Sequence, residues 1–119
     1  MKVLIADDNP DQLFVRGMLL RQNGFEAIEA ADVASAIDVA VRHKPECAVI
    51  DLSLPTQELG FRLIRELKAL DSAIHLFLLT GTDPRAISQH SETDLVDEIV
   101  VKGDSSAYLI RKLKALAAR

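Results

Sequence analysis

The chain has a single cysteine, Cys47, so no internal disulfide is possible. Its neighbours Ala48, Val49 and Ile50 make an apolar run, which reads as an inert thiol buried in a strand rather than a redox or metal group. No stripe of Lys and Arg is present, and 14 basic against 18 acidic residues give a net charge of -4. A surface that tracks a phosphate backbone is therefore not expected, and direct nucleic-acid binding is excluded as a reading. The longest apolar stretches are only strand-sized, and Lys2 alone precedes the first of them. Neither a membrane span nor a secretory signal is expected, and the chain reads as cytoplasmic. The histidines His43, His75 and His90 lack the spacing of metal ligands. There is no internal repeat and no low-complexity tract.

What remains is a chain of 119 residues, 49% hydrophobic, enough to bury one core. The expectation is one domain over residues 1–119. Strand-like and helix-like patterns alternate along it. Lys2 to Ala6 is a short apolar strand; Asn9-Pro10 then supplies a cap and a proline at a first helical position, for a helix running to about Gln22. Leu13, Gly17 and Leu20 share one face of that helix, and Asn23-Gly24 stops it. Phe25 to Glu29 is a weaker strand. Asp32 caps a helix to about Arg42, with Val33, Ala36, Ile37 and Ala40 as its buried stripe.

Cys47 to Ile50 is the third strand, SLPTQELG a loop, and Leu59 to Leu70 a helix whose period shows in Leu59, Leu63, Ile64 and Leu67. Ala73 to Leu79 is the fourth strand and Glu98 to Val101 the fifth. Between them Pro84 to about Glu92 is a weak helix with little apolar surface. A last helix opens at Ser105 or Ser106. Five βα units in order predict an α/β fold, a five-stranded parallel sheet wound on both faces by right-handed crossovers.

Each of four strands ends in a polar signal: Asp7-Asp8, Asp51, Thr80 and Lys102. Parallel strands bring these tips to one edge, which is where open α/β sheets place ligands. The gaps between Asp8, Asp51, Thr80 and Lys102 are 43, 29 and 22 residues, so only the fold can assemble them. Carboxylates about 4 Å apart repel by a few kcal/mol at an effective dielectric near 20, and a hard cation is the natural relief. Mg²⁺ suits an oxygen-only cradle completed by water and phosphate. In that setting Asp51 is the candidate nucleophile toward a phosphoryl donor, with Thr80 and Lys102 binding phosphoryl oxygens. Any one strand-end aspartate is more often a cap or turn former; the set in this order carries the functional reading.

With Asp7-Asp8, Asp51 followed four residues on by Pro55, Thr80-Gly81 and Lys102, residues 2 to 118 resemble the receiver domain of two-component response regulators. The resemblance implies a flavodoxin-like fold, Mg²⁺ held by Asp7, Asp8, Asp51 and the Ser53 carbonyl, and phosphorylation of Asp51 by a sensor histidine kinase or phosphotransfer protein. It implies Thr80 and Lys102 as phosphate contacts, Gly81 as the small residue beside the phosphate, and a downstream protein or output domain as the reader. A homodimer through the last helix is a further implication, on a surface that includes Asp97-Glu98, with Arg111 and Lys114 available to answer those acids.

The sequence departs from the family pattern in three places. Ile99 stands where members usually carry an aromatic switch residue. Gly103 replaces the usual proline after the lysine, which predicts a trans Lys102–Gly103 bond, since cis before a non-proline residue costs about 2.5 to 4 kcal/mol, and a rerouted loop. The Pro55 to Gly60 loop reads as one residue longer than the common pattern. Two other readings follow. A pseudo-receiver would bind partners without phosphorylation. A Mg²⁺-dependent phosphohydrolase would normally carry an acid two residues after the nucleophile, where this chain has Ser53; the chain is expected to be a signalling module, not an enzyme.

Overall fold

A computed structural model describes residues 1–103 and 105–119. Its elements in order are β1 (Lys2–Ala6), α1 (Pro10–Gln22), β2 (Glu26–Ala30), α2 (Val33–His43), β3 (Cys47–Asp51), α3 (Gln57–Leu70), β4 (His75–Thr80), β5 (Glu98–Val101) and α4 (Ser105–Ala117). All five strands are parallel and lie in one sheet in the order β2-β1-β3-β4-β5. The order reverses between β1 and β3, and this is the switch point at which such sheets open a crevice.

The strands alternate, and the alternation sorts the core into two layers. Leu4, Ala48, Ile50, Leu76 and Leu78 face one side, packed with Ala36 of α2 and Leu63, Ile64 and Leu67 of α3. Val3, Ile5, Val49, Phe77 and Leu79 face the other, packed with Leu13 and Leu20 of α1 and Leu109 and Leu113 of α4. A sheet covered on both faces needs such near-continuous apolar strands, and all five residues of β3 are buried. Among the described residues no helix is long and apolar enough to cross a membrane.

Helix starts follow their caps. The Asn9 side chain accepts hydrogen bonds from the Asp11 and Gln12 amides, and Pro10 follows it at the first helical position. Asp32 and Ser35 form a reciprocal capping box at α2. Thr56 accepts from the Leu59 amide and starts α3 at Gln57, so the expected Pro55 to Gly60 loop is mostly helix and the connection from Asp51 is short. The stripe expected on α2 is only half realised: Ala36 is fully buried, whereas Val33, Ile37 and Ala40 are partly so.

Strand ends shift by a residue or two from the sequence expectation. Phe25 precedes β2, Asp51 closes β3 instead of following it, and β4 runs His75–Thr80 because Asp71 forms a turn by accepting the Ala73 amide at 2.9 Å. The larger difference is the fourth crossover. The expected weak helix over Pro84 to Glu92 is two short 3-10 turns, Pro84–Ala86 and Ser91–Leu95, neither with a buried residue. With no apolar stripe to bury, the segment gains nothing from propagating an α-helix. The Lys102–Gly103 bond is trans, and Gly103 takes φ +117°, a turn only glycine adopts readily. The one cis bond among the described residues is Leu54–Pro55. The last helix starts at Ser105; the position before it, Asp104, lies outside the described residues.

Candidate functional site

Strand register builds the site. Ala6 of β1 lies beside Ile50 of β3, so the next residues, Asp7 and Asp51, meet at the C-terminal edge. Asp51 lies beside Leu79 of β4, and Thr80 lies beside Val101 of β5, which puts Lys102 one step beyond the edge. The ladder continues there: the Leu52 amide donates to Leu79 O at 2.9 Å and the Lys102 amide to Thr80 O at 2.8 Å. Asp7, Asp8 and Asp51 each offer a carboxylate oxygen, and these oxygens lie within 4.8 Å of one another. Asp7 and Asp51 are buried; Asp8 is exposed.

Each buried acid is anchored on both oxygens. Asp51 Oδ1 accepts the Ser53 amide at 3.1 Å, and Oδ2 accepts Lys102 Nζ at 2.9 Å. Asp7 Oδ1 accepts the Asn9 amide at 2.9 Å, and Oδ2 accepts Nη1 of Arg16. Burial pushes the Asp7 carboxyl above its ordinary range, the Asn9 amide pulls it down, the Asp51 charge pushes it up and Arg16 pulls it down, in falling order of size. The Thr80 hydroxyl, 1% exposed, lies 2.9 Å from Thr82 Oγ1 and accepts the Thr82 amide at 3.1 Å. It is held on its own loop and is not bonded to Asp51.

Ser53 is exposed, and its contact with the cluster is through the amide, not the carbonyl. A side chain at Gly81 would meet no atom within 4 Å, so that position leaves open space beside Thr80. Gly60 is the opposite case: a Cβ there would come within 2.1 Å of Leu52 O. The first turn of α3 thus lies directly on the backbone that follows Asp51, an approach only glycine allows. Ile99 is half-buried and packs into the α2/α3 layer.

Arg16 is the site residue that the sequence reading missed. The signal was present. Leu13, Arg16, Gly17 and Leu20 fall at i, i+3, i+4 and i+7, so the arginine shares the buried stripe of α1, and only 12% of its side chain is exposed. Asp97 and Glu98, at the start of β5, are also answered differently from expectation. Asp97 accepts the Leu76 amide at 2.8 Å and lies 3.7 Å from Lys68 Nζ; Glu98 accepts Tyr108 Oη–H at 3.1 Å and lies 3.5 Å from Lys112 Nζ. Arg111 instead stands 5.4 Å over the Tyr108 ring. Cys47 is fully buried, and burial above all raises its thiol pKa, so it stays protonated.

Comparison with known proteins places these features in one family. A family model described as the response regulator receiver domain matches residues 3–114. The transcriptional regulatory protein PrrA of Mycobacterium tuberculosis is 30% identical over 121 residues, covering 99% of this chain and 50% of that protein. The sporulation initiation phosphotransferase F of Bacillus subtilis is 22% identical over 97 residues, 82% of this chain and 71% of that one. The chain thus spans about half the length of the first curated relatives it matches. Among solved structures, the response regulator TrrA of Thermotoga maritima, determined in complex with Mg²⁺-BeF, superposes with a TM-score of 0.85 at 22% identity, over 97% of each chain. A CheY-like receiver domain from Methanospirillum hungatei gives 0.85 at 23% identity, over 96% of this chain and 90% of that one.

Proposed function

Because the chain belongs to the response regulator receiver domain family, we propose that it is a phospho-accepting switch of a two-component system, modified on Asp51. The observation that carries this is the pairing of a 4% exposed Asp51 with Lys102 Nζ at 2.9 Å, inside a cluster with Asp7 and Asp8. An Asp51 oxygen attacks the phosphorus of a donor; the P–O bond to the carboxylate forms as the donor bond breaks, and the leaving group departs with the electron pair. Lys102 is placed to bind a phosphoryl oxygen once it is released from the carboxylate. Thr80 reaches the same group by giving up its bond to Thr82.

Asp7, Asp8 and Asp51 fit a magnesium ion, since all are oxygen donors at one open edge, and the Ser53 carbonyl would complete the protein's share. The ion supplies neutralisation of the negative charge that gathers on the transferring group. The donor is a sensor histidine kinase or phosphotransfer protein in the cytoplasm. The reader is a downstream protein or an output domain of the kind that would fill the other half of the longer relatives. Phosphorylation adds roughly -1.5 to -2 charges beside Thr80 and Lys102, and so acts on the surface made by the β4–β5 crossover, β5 and α4.

Turnover as a phosphohydrolase is not proposed, because Ser53 supplies no carboxyl group for the leaving group. The test is intact mass after incubation with Mg²⁺ and a small acyl-phosphate donor, beside Asp51→Asn. One phosphoryl adduct that disappears in the variant supports the switch. Continuous release of phosphate, or an adduct that survives in Asp51→Asn, would overturn it.

A further inference from the structure

Asp7 is paired with a cation of the chain itself, Arg16. Arg16 stands on the buried stripe of α1 and reaches the sheet edge because helical side chains lean toward the helix N-terminus, where Asp7 lies. It takes Oδ2 of Asp7, while the Asn9 amide takes Oδ1, so both oxygens of this buried acid are engaged. Lys102 and the Ser53 amide hold Asp51 in the same way. Among the described residues Asp8 is the member of the cluster without an ion-pair partner. Three carboxylates against two internal cations leave the site one negative charge.

A magnesium ion binding Asp7 would lie about 2.1 Å from the carboxylate oxygen. A guanidinium nitrogen bonded to that same oxygen would then face a doubly charged ion at close range in a poorly hydrated place, and the two repel. The guanidinium has somewhere to go. A cavity of about 460 Å³, which Arg16 itself lines together with Asn9, Gln12, Lys102, Gly103 and Ser106, adjoins it, and Gln12 offers an acceptor oxygen there. We propose that Arg16 is an internal counter-ion that competes with the divalent cation for Asp7, so that the metal affinity of this site is set by a side chain on α1. Arg16 is a positioning residue in this scheme and not a ligand. The inference rests on the proposed function only in taking the acidic cluster as the metal site.

Displacing a partner of this kind couples two binding events by an amount that is typically about tenfold in affinity. Direct titration of the 119-residue chain with Mg²⁺ by calorimetry, and with Mn²⁺ by electron paramagnetic resonance, tests it. Arg16→Gln is expected to bind either metal about tenfold more tightly than the unsubstituted chain, and Arg16→Lys, which keeps the charge, to fall between. Melting in chelator and in Mg²⁺ is the second readout. Arg16→Gln loses the partner of a buried acid, so it should melt lower in chelator and gain more from Mg²⁺ than the unsubstituted chain. If Arg16→Gln does not fold in chelator, Arg16→Lys carries the test with a smaller shift in the same direction.

Equal or weaker metal binding in both variants overturns the proposal and leaves the proposed function standing. No metal binding by any of the chains overturns both. Tighter binding in Arg16→Gln together with no phosphoryl adduct on Asp51 sustains the counter-ion and sinks the switch.

Discussion

The two crossovers that flank β4 are built on different principles. On one side α3 caps cleanly at Thr56 and buries Gly60, Phe61, Leu63, Ile64 and Leu67. On the other, the β4–β5 crossover is two 3-10 turns that bury none of their own residues, with Ile87 between them as the buried anchor. The crossover borrows its order from α3: His90 stacks on Phe61 with ring centroids 4.5 Å apart, and Arg65 meets Glu92 at 2.5 Å. Asp7 and Asp8, just past β1, and Asp51, at the end of β3, adjoin the packed layer. Thr80 and Lys102 bracket the lightly packed segment. Local opening follows buried apolar contact, so the contrast is one of where the molecule yields first.

The largest test of that contrast is Gly60→Ala. The added methyl strikes the Leu52 carbonyl, a backbone atom that cannot turn aside, and the cost is expected to be about 3 kcal/mol. Thermal and denaturant unfolding measure it; a near-neutral result would show that α3 is not seated on the Asp51 loop. Next is Ile87→Ala, expected to cost about 2 kcal/mol, the low end for such a truncation, because the turns around it can settle into the space. Hydrogen exchange should then speed in residues 84–95 while α3 is unchanged. Equal loss of protection in α3 would make the crossover and the helix one cooperative unit and break the comparison.

A smaller effect concerns Asp7. Its folded pKa lies above the ordinary 3.8, so the folded chain binds that proton more tightly than the unfolded chain does. Stability in chelator should therefore fall as pH rises from about 4 through the folded value, and level off above it. Asp7→Asn should remove that fall, and the two chains' difference in melting temperature, taken from pH 4 to 7, reads it. A difference that does not change with pH would mean that Arg16 fully offsets the burial. Smallest of all is Arg65→Ala. The pair it makes with Glu92 is exposed on the arginine side, and exposed pairs contribute little. The melting midpoint should stay within error, while the mobility of Glu92 and its neighbours rises in side-chain relaxation measurements.

The sequence made the packed half legible and the yielding half less so. β1, α1 and β5 stand where period and caps placed them, because Asn9-Pro10 and the apolar runs are local signals. The weak helix expected over Pro84 to about Glu92 is two 3-10 turns instead, because the little apolar surface noted there gives it no tertiary support. In the site, Asp7, Asp8, Asp51 and Lys102 were legible as strand ends that register would gather. Arg16 was legible as a charge on a buried stripe but not as the partner of Asp7, which is nine residues back, just past the strand before the helix. Lys68 and Lys112, the partners of Asp97 and Glu98, were hidden for the same reason.

The sole thiol gives the molecule a built-in clock. Cys47 opens the central strand with no exposed surface, between Val3 of β1 and His75 of β4, and four residues along the same strand stands Asp51. Its side chain lies in the layer covered by α1 and α4, so a thiol reagent can reach that sulfur only when this layer opens, and the rate of labelling counts those openings, one event per molecule. Anything that grips the far tip of the strand should slow the count, and the chain can report on its own occupancy without an added probe.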